Sequence, residues 1–410
     1  YFLLACTNAA LFLILETLPE NVHENMASQT LPFIQHRMTA MTHWEFWIDV
    51  GGTFTDCLGR NPAGDVKAHK ILSSGVYKGM IGEGSTHNTL IDVQRISDPD
   101  HFFDHYTLRI GDHCVGIQSF DASTGQFSLK HPLEQLPSPG TIYEIFSNEE
   151  APITGIRWLM GKCLHESIGK VSVRLGTTRG TNALLERQGA RTALVTTKGF
   201  RDVLRIAYQN RPRLFQLHIR KPEDLYETVV EIDERVDKEG HIICPIDEAV
   251  VREQLIPLKK QGIASLAVCF LNSYRNGTHE LTVKKVAEEL DFDHVSCQVN
   301  QLQRMVSRGD TTVVDAYLTP IIRAYIAGIR TKIPQASIKL MTSAGGLVDA
   351  ELFVGKDSIL SGPAGGVVAG LAIAGHHTNR NLITADMGGT SFDVAVMHDG
   401  GVSFAREGRI

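Results

Sequence analysis

Ile48-Asp49-Val50-Gly51-Gly52-Thr53-Phe54-Thr55-Asp56 recurs far down the chain as Ala385-Asp386-Met387-Gly388-Gly389-Thr390-Ser391-Phe392-Asp393. Each copy is an apolar strand ending in Asp, then Gly-Gly, a hydroxyl residue, and a second Asp seven positions after the first. The pattern suits a polyphosphate. Glycines let backbone N–H groups approach phosphate oxygens with no Cβ in the way. A Thr hydroxyl adds a donor, and an Asp at a strand end can hold Mg²⁺, usually through water, because Mg²⁺ sheds its shell reluctantly. Two such hairpins facing each other across a cleft would grip a nucleotide phosphate chain from both sides. A single DxGGT would serve equally well as a plain turn; repetition with the flanking strands and the Asp spacing preserved favours the phosphate reading. GxxxxGK[ST] is absent, and no GxGxxG follows a strand into a helix, so this is neither a P-loop nor a dinucleotide fingerprint.

Outward from the first copy, Trp44 to Val50 and Thr53 to Leu58 are two strands joined by the Gly-Gly turn. Asn61-Pro62-Ala63-Gly64 is another turn and Val66 to Leu72 a third strand. Residues 80–170 hold turn signals at Asp98-Pro99, Ser123-Thr124-Gly125 and Pro137-Ser138-Pro139-Gly140, and are expected to be an insertion with short strands. From Val171 a βαβ alternation begins. VSVRL is a strand, Gly176-Thr177-Thr178 a turn, TNALLERQG a helix ending at Gly189, ARTALVTT a strand and RDVLRIAYQ a helix. Asp247 to Gln261 and His279 to Leu290 read as helices flanking the buried strand ASLAVCFL. Thr311 to Ile329 reads as a long helix interrupted at Pro320. IKLMTS is a strand, SGPAGGVVAGLAIAG (361–375) a helix of small residues, and NLITADM the strand leading into the second copy.

The 410 residues imply two to three domains at roughly 150 residues each. Hydrophobic residues make up 43% and charged residues 21%, which suits a globular chain and excludes a disordered or fibrous one. A net charge of -6 gives no basic excess for non-specific nucleic-acid binding. The seven cysteines form no CxxC pair, as expected of a reduced cytoplasmic protein without a disulfide framework or zinc site. Phe2 to Leu15 is too short an apolar run to span a bilayer and lacks the basic start of a signal peptide. Residues 1–40 are therefore expected to be an extension, disordered or wrongly started, with a cleaved targeting segment as the alternative, and no membrane partner is expected.

The lead-in SGPAGGVVAG followed by DMGGTSFDVAV is similar to the stretch joining the lobes in the actin, sugar-kinase and heat-shock-chaperone ATPase superfamily. More closely, WIDVGGTFTD, LGTTRGTNALLERQGARTALVTTKGFRDVLRI, ERVDKEG, TTVVDAYLTP, LSGPAGGV and DMGGTSFDVAV together resemble the hydantoinase A/5-oxoprolinase family over about 44 to 410, most weakly over 80–170. The segment 209–236 looks most like 5-oxoprolinases, whereas Val50 stands where many of them carry Arg and hydantoinase-type members carry Val.

The resemblance implies an α/β, two-lobed actin-like ATPase fold with an inserted α+β region and a truncated second lobe. It implies an N-terminal hydantoinase/oxoprolinase domain at 41–235 and an incomplete A-type domain at 236–410, with the second hairpin at 385–396. It implies ATP and Mg²⁺ as cofactors, a lactam or cyclic imide as substrate, and a hydantoinase B-type subunit or domain as partner; self-association stays open. Family members continue well beyond Ile410, so the chain is expected to be a fragment. The reaction implied is ATP-dependent ring opening, with 5-oxo-L-proline giving L-glutamate, ADP and phosphate. Hydantoin opening, ketone carboxylation and a non-catalytic nucleotide switch are the alternatives.

By motif position, Asp49 and Asp386 are expected to organise Mg²⁺ and to be catalytic. Gly51, Gly52, Thr53, Thr55, Gly388, Gly389, Thr390 and Asp393 are expected to hold the phosphates, where positioning and charge neutralisation count for more than covalent chemistry. Asp56, Asp393 and Thr55 serve equally well as capping or pairing groups within their hairpins. Gly176, Thr177, Thr178 and Thr181 sit where a helix start can hold an anion, or where the hydroxyls simply cap it. Arg205 and Arg211 are candidates for a substrate carboxylate, with solvated arginines as the commoner case. Gly362, Pro363, Gly365 and Gly366 serve lobe packing or nucleotide contact. His376-His377 reads as a surface turn, and Cys297 as a core residue without a paired base.

Overall fold

A computed structural model describes residues 42–209, 215, 217–219, 221–374, 381–387 and 392–398. The described residues divide into two compact units, neither continuous in sequence. One holds the chain up to Arg179, Ile326–Leu352 and the residues from Leu360 onward; the other holds Gly180–Tyr325 and Phe353–Ile359. The sequence division at 235/236 falls inside the second unit, within a two-residue strand at Arg235–Val236.

The first unit opens with β1 (Trp44–Val50), β2 (Phe54–Arg60) and β3 (Val66–Leu72), an antiparallel meander whose two turns are the Gly-Gly and Asn61–Gly64 turns read from sequence. Tyr77 to Phe146 then forms a second sheet from β4 (Tyr77–Met80), β5 (Thr89–Ile91), β6 (Thr107–Ile110), β7 (His113–Asp121), β8 (Gln126–Leu129) and β9 (Ile142–Phe146), in the order β4-β9-β6-β7-β8-β5. The expected insertion is thus a six-stranded antiparallel sheet, and all three turn signals lie between its strands. Its core is aromatic: Tyr77, Phe102, Phe103, Tyr106, Phe120, Phe127 and Tyr143 are buried together, with Phe103 meeting Phe120 edge-on at 5.1 Å.

Helix α1 (Ala151–Met160) returns the chain to the first sheet, where β10 (Val171–Thr177) pairs parallel to β1. Gly176 and Thr177 therefore end a strand and are not the turn expected there; parallel pairing to Asp49 and Val50 extends the strand by two residues. Helix α2 is Arg179–Leu185, shorter than the expected 181–189 and starting earlier.

The second unit carries an all-parallel sheet of β11 (Thr192–Thr197), β12 (Thr228–Ile232), β15 (Ser265–Cys269) and β16 (His294–Ser296), in the order β12-β11-β15-β16. RDVLRIAYQ, read from sequence as a helix over 201–209, forms only the short α3 (Val203–Ile206). A small ribbon of β13 (Arg235–Val236) and β14 (Ile242–Cys244) follows β12. Helices α4 (Glu248–Lys260) and α5 (Thr278–Glu289) bury Val251, Leu255, Leu258, Val283, Val286 and Ala287 against the sheet. Asp247 caps α4 by accepting from Ala249 and Val250 N–H, which explains the helix start read from sequence.

Helix α6 (Met305–Lys332) runs through Pro320 without the interruption expected there. The residues around it are deeply buried (Ala316, Tyr317, Leu318, Ile322), so packing outweighs the one backbone bond that proline cannot make. By composition this helix is apolar enough to cross a membrane, but most of that stretch is buried inside the protein, as in a core helix.

The chain then re-enters the first unit. β17 (Ser337–Met341) pairs parallel to β10, and β18 (Leu347–Asp349) closes the edge, giving the sheet order β18-β17-β10-β1-β2-β3. Helix α7 (Ser361–Ala374) packs on β10 and β17 and also on the last hairpin, β19 (Leu382–Met387) and β20 (Phe392–Met397).

Candidate functional site

The β1–β2 turn is built by backbone constraint. Gly51 N–H donates to the Phe54 carbonyl at 3.0 Å, and a Cβ on Gly51 would stand 2.9 Å from that oxygen, so only glycine fits. Ser73 locks the turn from β3: its N–H donates to the Thr53 carbonyl at 2.9 Å and its hydroxyl to the Gly51 carbonyl at 2.7 Å. Gly52 and Thr53 are left exposed at the tip.

The internal echo holds at the level of register. Asp49 pairs with Asp56 and Val50 with Thr55; Asp386 pairs with Asp393 and Met387 with Phe392. Directly opposed residues of an antiparallel pair share a face, so the first hairpin sets Asp49 and Asp56 side by side, and Asp386 and Asp393 take the same register positions in the second. Gly388, Gly389 and Thr390 lie outside the described residues, as do Arg211 and His376-His377.

The two faces of the first sheet differ. Ile48, Cys57 and His69 face α1, where His69 stacks on Trp158 at 4.0 Å and Gly155 abuts Cys57. Burial, and then the charges of Asp56 and Asp49, push the Cys57 thiol far above its ordinary range, so it is unreactive. Thr55 belongs to this face: it is fully buried and its hydroxyl meets Ser73 Oγ at 3.1 Å. It therefore braces the turn from within.

Asp49 is on the opposite face, 9% exposed, one residue before the strand ends. The first turn of α7 comes down beside it. A Cβ on Gly362 would stand 3.8 Å from Asp49 Oδ1 and 3.9 Å from Thr178 Cγ2. Ser361 fixes that turn by donating its hydroxyl to the Thr177 carbonyl at 2.9 Å. Thr178 donates its N–H to the Val50 carbonyl at 2.9 Å and its hydroxyl to the same oxygen at 3.2 Å. The ends of β1 and β10 and the start of α7 are thus tied at one point. A carboxylate beside a helix start is electrostatically favoured there, and so is any other anion.

Thr177 caps α2, its hydroxyl accepting from Arg179 N–H at 3.1 Å. Asp56 is held by Lys70, whose ammonium lies 2.9 Å from both carboxylate oxygens. Arg205 in the second unit donates to the Pro222 carbonyl and to Asp224. Cys297 is pushed up to about 11 by burial, in keeping with a core role. Sequence reasoning passed over Lys70 and Ser73. The Asn61–Gly64 turn was the available signal, because it fixes which residue of β3 opposes Asp56. Among the described residues no three His, Cys, Asp or Glu side chains cluster as a metal cage.

Two family models match the chain: the hydantoinase/oxoprolinase N-terminal region over residues 137–291, and hydantoinase/oxoprolinase over residues 308–410. The chain belongs to the hydantoinase/oxoprolinase family. The 5-oxoprolinase 1 of Arabidopsis thaliana is 41% identical across 60% of this chain and 22% of its own length. The 5-oxoprolinase of Saccharomyces cerevisiae is 41% identical across 61% of this chain and 23% of its own. The caprolactamase subunit alpha of Pseudomonas jessenii is 30% identical across 57% of this chain and 35% of its own. This hydantoinase/oxoprolinase chain therefore spans less than a quarter of the length of the oxoprolinases it matches. Among solved structures, nucleotide-free acetone carboxylase has a TM-score of 0.59 at 19% identity, covering 87% of this chain and 44% of that one. ATP-dependent caprolactamase from Pseudomonas jessenii has a TM-score of 0.59 at 23% identity, covering 86% and 43%. These likenesses establish a mixed α/β fold of that kind.

Proposed function

We propose that this chain carries the ATP-binding, amide-activating part of an ATP-dependent lactam hydrolase, with 5-oxo-L-proline as substrate. The observation that carries the reading is the pair of register-matched hairpins, the first with its carboxylate set against a helix start. We read the first sheet and its hairpins as part of an actin-type two-lobed ATPase.

The residues suit a magnesium polyphosphate. Gly52 and Thr53 present an exposed turn, and the almost buried Asp49 offers a hard oxygen at its base. Mg²⁺ needs only one or two carboxylates beside substrate phosphates, so a protein cage is not required. Asp49, with Asp386 of the second hairpin, would hold it, and the ion would neutralise phosphate charge there. The turn's backbone and the hydroxyls of Thr53 and Thr390 would orient the phosphates. A ring amide is a poor electrophile; transfer of the terminal phosphoryl group to its oxygen makes the carbon open to water. ADP leaves at that transfer; water then adds to the carbon and the ring C–N bond breaks, the nitrogen taking up the proton, and a second water hydrolyses the resulting acyl phosphate to L-glutamate and phosphate. We assign that hydrolytic step to a B-type subunit or domain, and place the protein in the cytoplasm, where ATP is available and the six described cysteines stay unpaired.

The test is ATP turnover by the intact protein with 5-oxo-L-proline, hydantoin and caprolactam in parallel arms. Stimulation by 5-oxo-L-proline alone supports the reading. Stimulation by another ring moves the substrate, and turnover indifferent to all three favours a nucleotide switch.

A further inference from the structure

Asp49, Asp56 and Lys70 stand in one row across β1, β2 and β3, because Asp49 opposes Asp56 and Asp56 opposes Lys70 in successive antiparallel pairs. The row lies on the face that receives the first turn of α7, not the face covered by α1. Two adjacent carboxylates repel each other and any incoming phosphate, so a cation in this row has a clear electrostatic task.

β1–β3 carry three Lys or Arg side chains. Arg60 is committed to Glu45, at the far end of the strands from the turn. Lys67 opposes Gly59 and points to the other face. Lys70 alone is beside the turn on the Asp49 face. Its ammonium meets both oxygens of Asp56 at 2.9 Å and lies 5.1 Å from the centre of the Phe54 ring, an exposed aromatic at the hairpin tip. A lysine has three N–H donors. Asp56 occupies two, and the side chain is half exposed, at 52%. The third donor is available to an oxygen arriving at the turn.

A cross-strand ion pair at a surface contributes little to stability. Fold stability alone thus gives weak reason for this bidentate arrangement next to the glycine turn. We propose that Lys70, positioned by Asp56 and Phe54, is the protein cation that neutralises phosphate charge at the first hairpin. The inference rests on the polyphosphate reading of that hairpin and adds a residue to it.

The test uses the intact protein and the variants K70M, K70R and D56N, with three readouts: ATP affinity by calorimetry, thermal stability, and lactam-stimulated ATP turnover. K70M is expected to bind ATP about tenfold more weakly and to turn over about a hundredfold more slowly, the usual cost of losing one preorganised charge partner. Its melting temperature should stay close to that of the parent. K70R should recover part of the affinity, and D56N should lose less than K70M. If K70M matches the parent in affinity, the Lys70 inference falls while the polyphosphate reading stands. If the parent binds ATP but no lactam stimulates turnover, the substrate reading falls and the affinity of K70M still decides the role of Lys70. If the parent binds no ATP, both fall.

Discussion

Replacing Gly362 by Ala separates folding from function at one position. The added Cβ meets Asp49 Oδ1 at 3.8 Å and Thr178 Cγ2 at 3.9 Å, which is ordinary van der Waals contact. Nothing has to move, and Gly to Ala inside a helix gains up to about 1 kcal/mol. The variant should therefore be as stable as the parent or slightly more so. Gly155→Ala is the control on the other face of the same sheet. There the methyl would overlap the sulfur of the buried Cys57. Overpacking of this kind costs about 1–3 kcal/mol; less the same helix gain, a net loss of about 0–2 kcal/mol remains. Adding Cys57→Ala to Gly155→Ala vacates the space and should couple favourably to it by about 1 kcal/mol. In the functional arm, the Gly362 methyl crowds the gap between Asp49 and the start of α7, and ATP affinity should fall about tenfold, or roughly 1.4 kcal/mol. Scanning calorimetry and titration calorimetry on the intact protein read the two arms. A Gly362→Ala variant as unstable as Gly155→Ala would refute the packing argument; a stable one with undiminished ATP affinity would refute the cradle.

Glu149 and Arg157 form a bidentate pair with side chains 3% and 6% exposed, so Glu149→Ala should cost about 3–5 kcal/mol by leaving a buried guanidinium uncompensated; a loss under 1 kcal/mol in denaturant unfolding contradicts this. Glu234 of the ERVDKEG motif accepts from the Thr197 hydroxyl and pairs with His279 Nδ1 at 2.7 Å, all three groups being buried. Its replacement by Ala should cost about 2–4 kcal/mol, while replacement by Gln keeps most of the hydrogen bonding and should cost less. His69 is held down to about 4 by burial, then by Arg95. As pH falls the unfolded chain takes up that proton first, so this group lowers stability between about pH 6.5 and 4 and has no effect above that window. His69→Gln should flatten the pH–stability curve in that interval, and an unchanged slope there would sink the assignment.

Local chemistry alone settled the hairpins of this protein. A spacing of seven positions from Asp to Asp around a Gly-Gly turn sets the register, and both copies adopt it. Asn61–Gly64 fixes the next register in the same way, and Asp247 announces α4 through a cap that needs only the N–H groups two and three residues on. Period-2 and helical apolar patterns likewise placed most strands and helices after Val171, because each pattern is completed within a few residues.

Tertiary packing decided what no local pattern holds. The sheet between Tyr77 and Phe146 is organised by seven aromatic rings spread from Tyr77 to Tyr143 at no regular spacing, which leave only turn signals in the sequence. Pro320 stays in a helix because its neighbours are buried, a gain that propensity does not contain. The two units are assembled from discontinuous stretches, so no linker marks their boundary. Above all, Gly362 comes to lie beside Asp49 only when α7 docks across β10 and β17. Which residues share a hairpin is a matter of turn geometry; which carboxylate meets which helix start depends on burying apolar surface between elements some three hundred residues apart, and that is settled only when the whole unit folds.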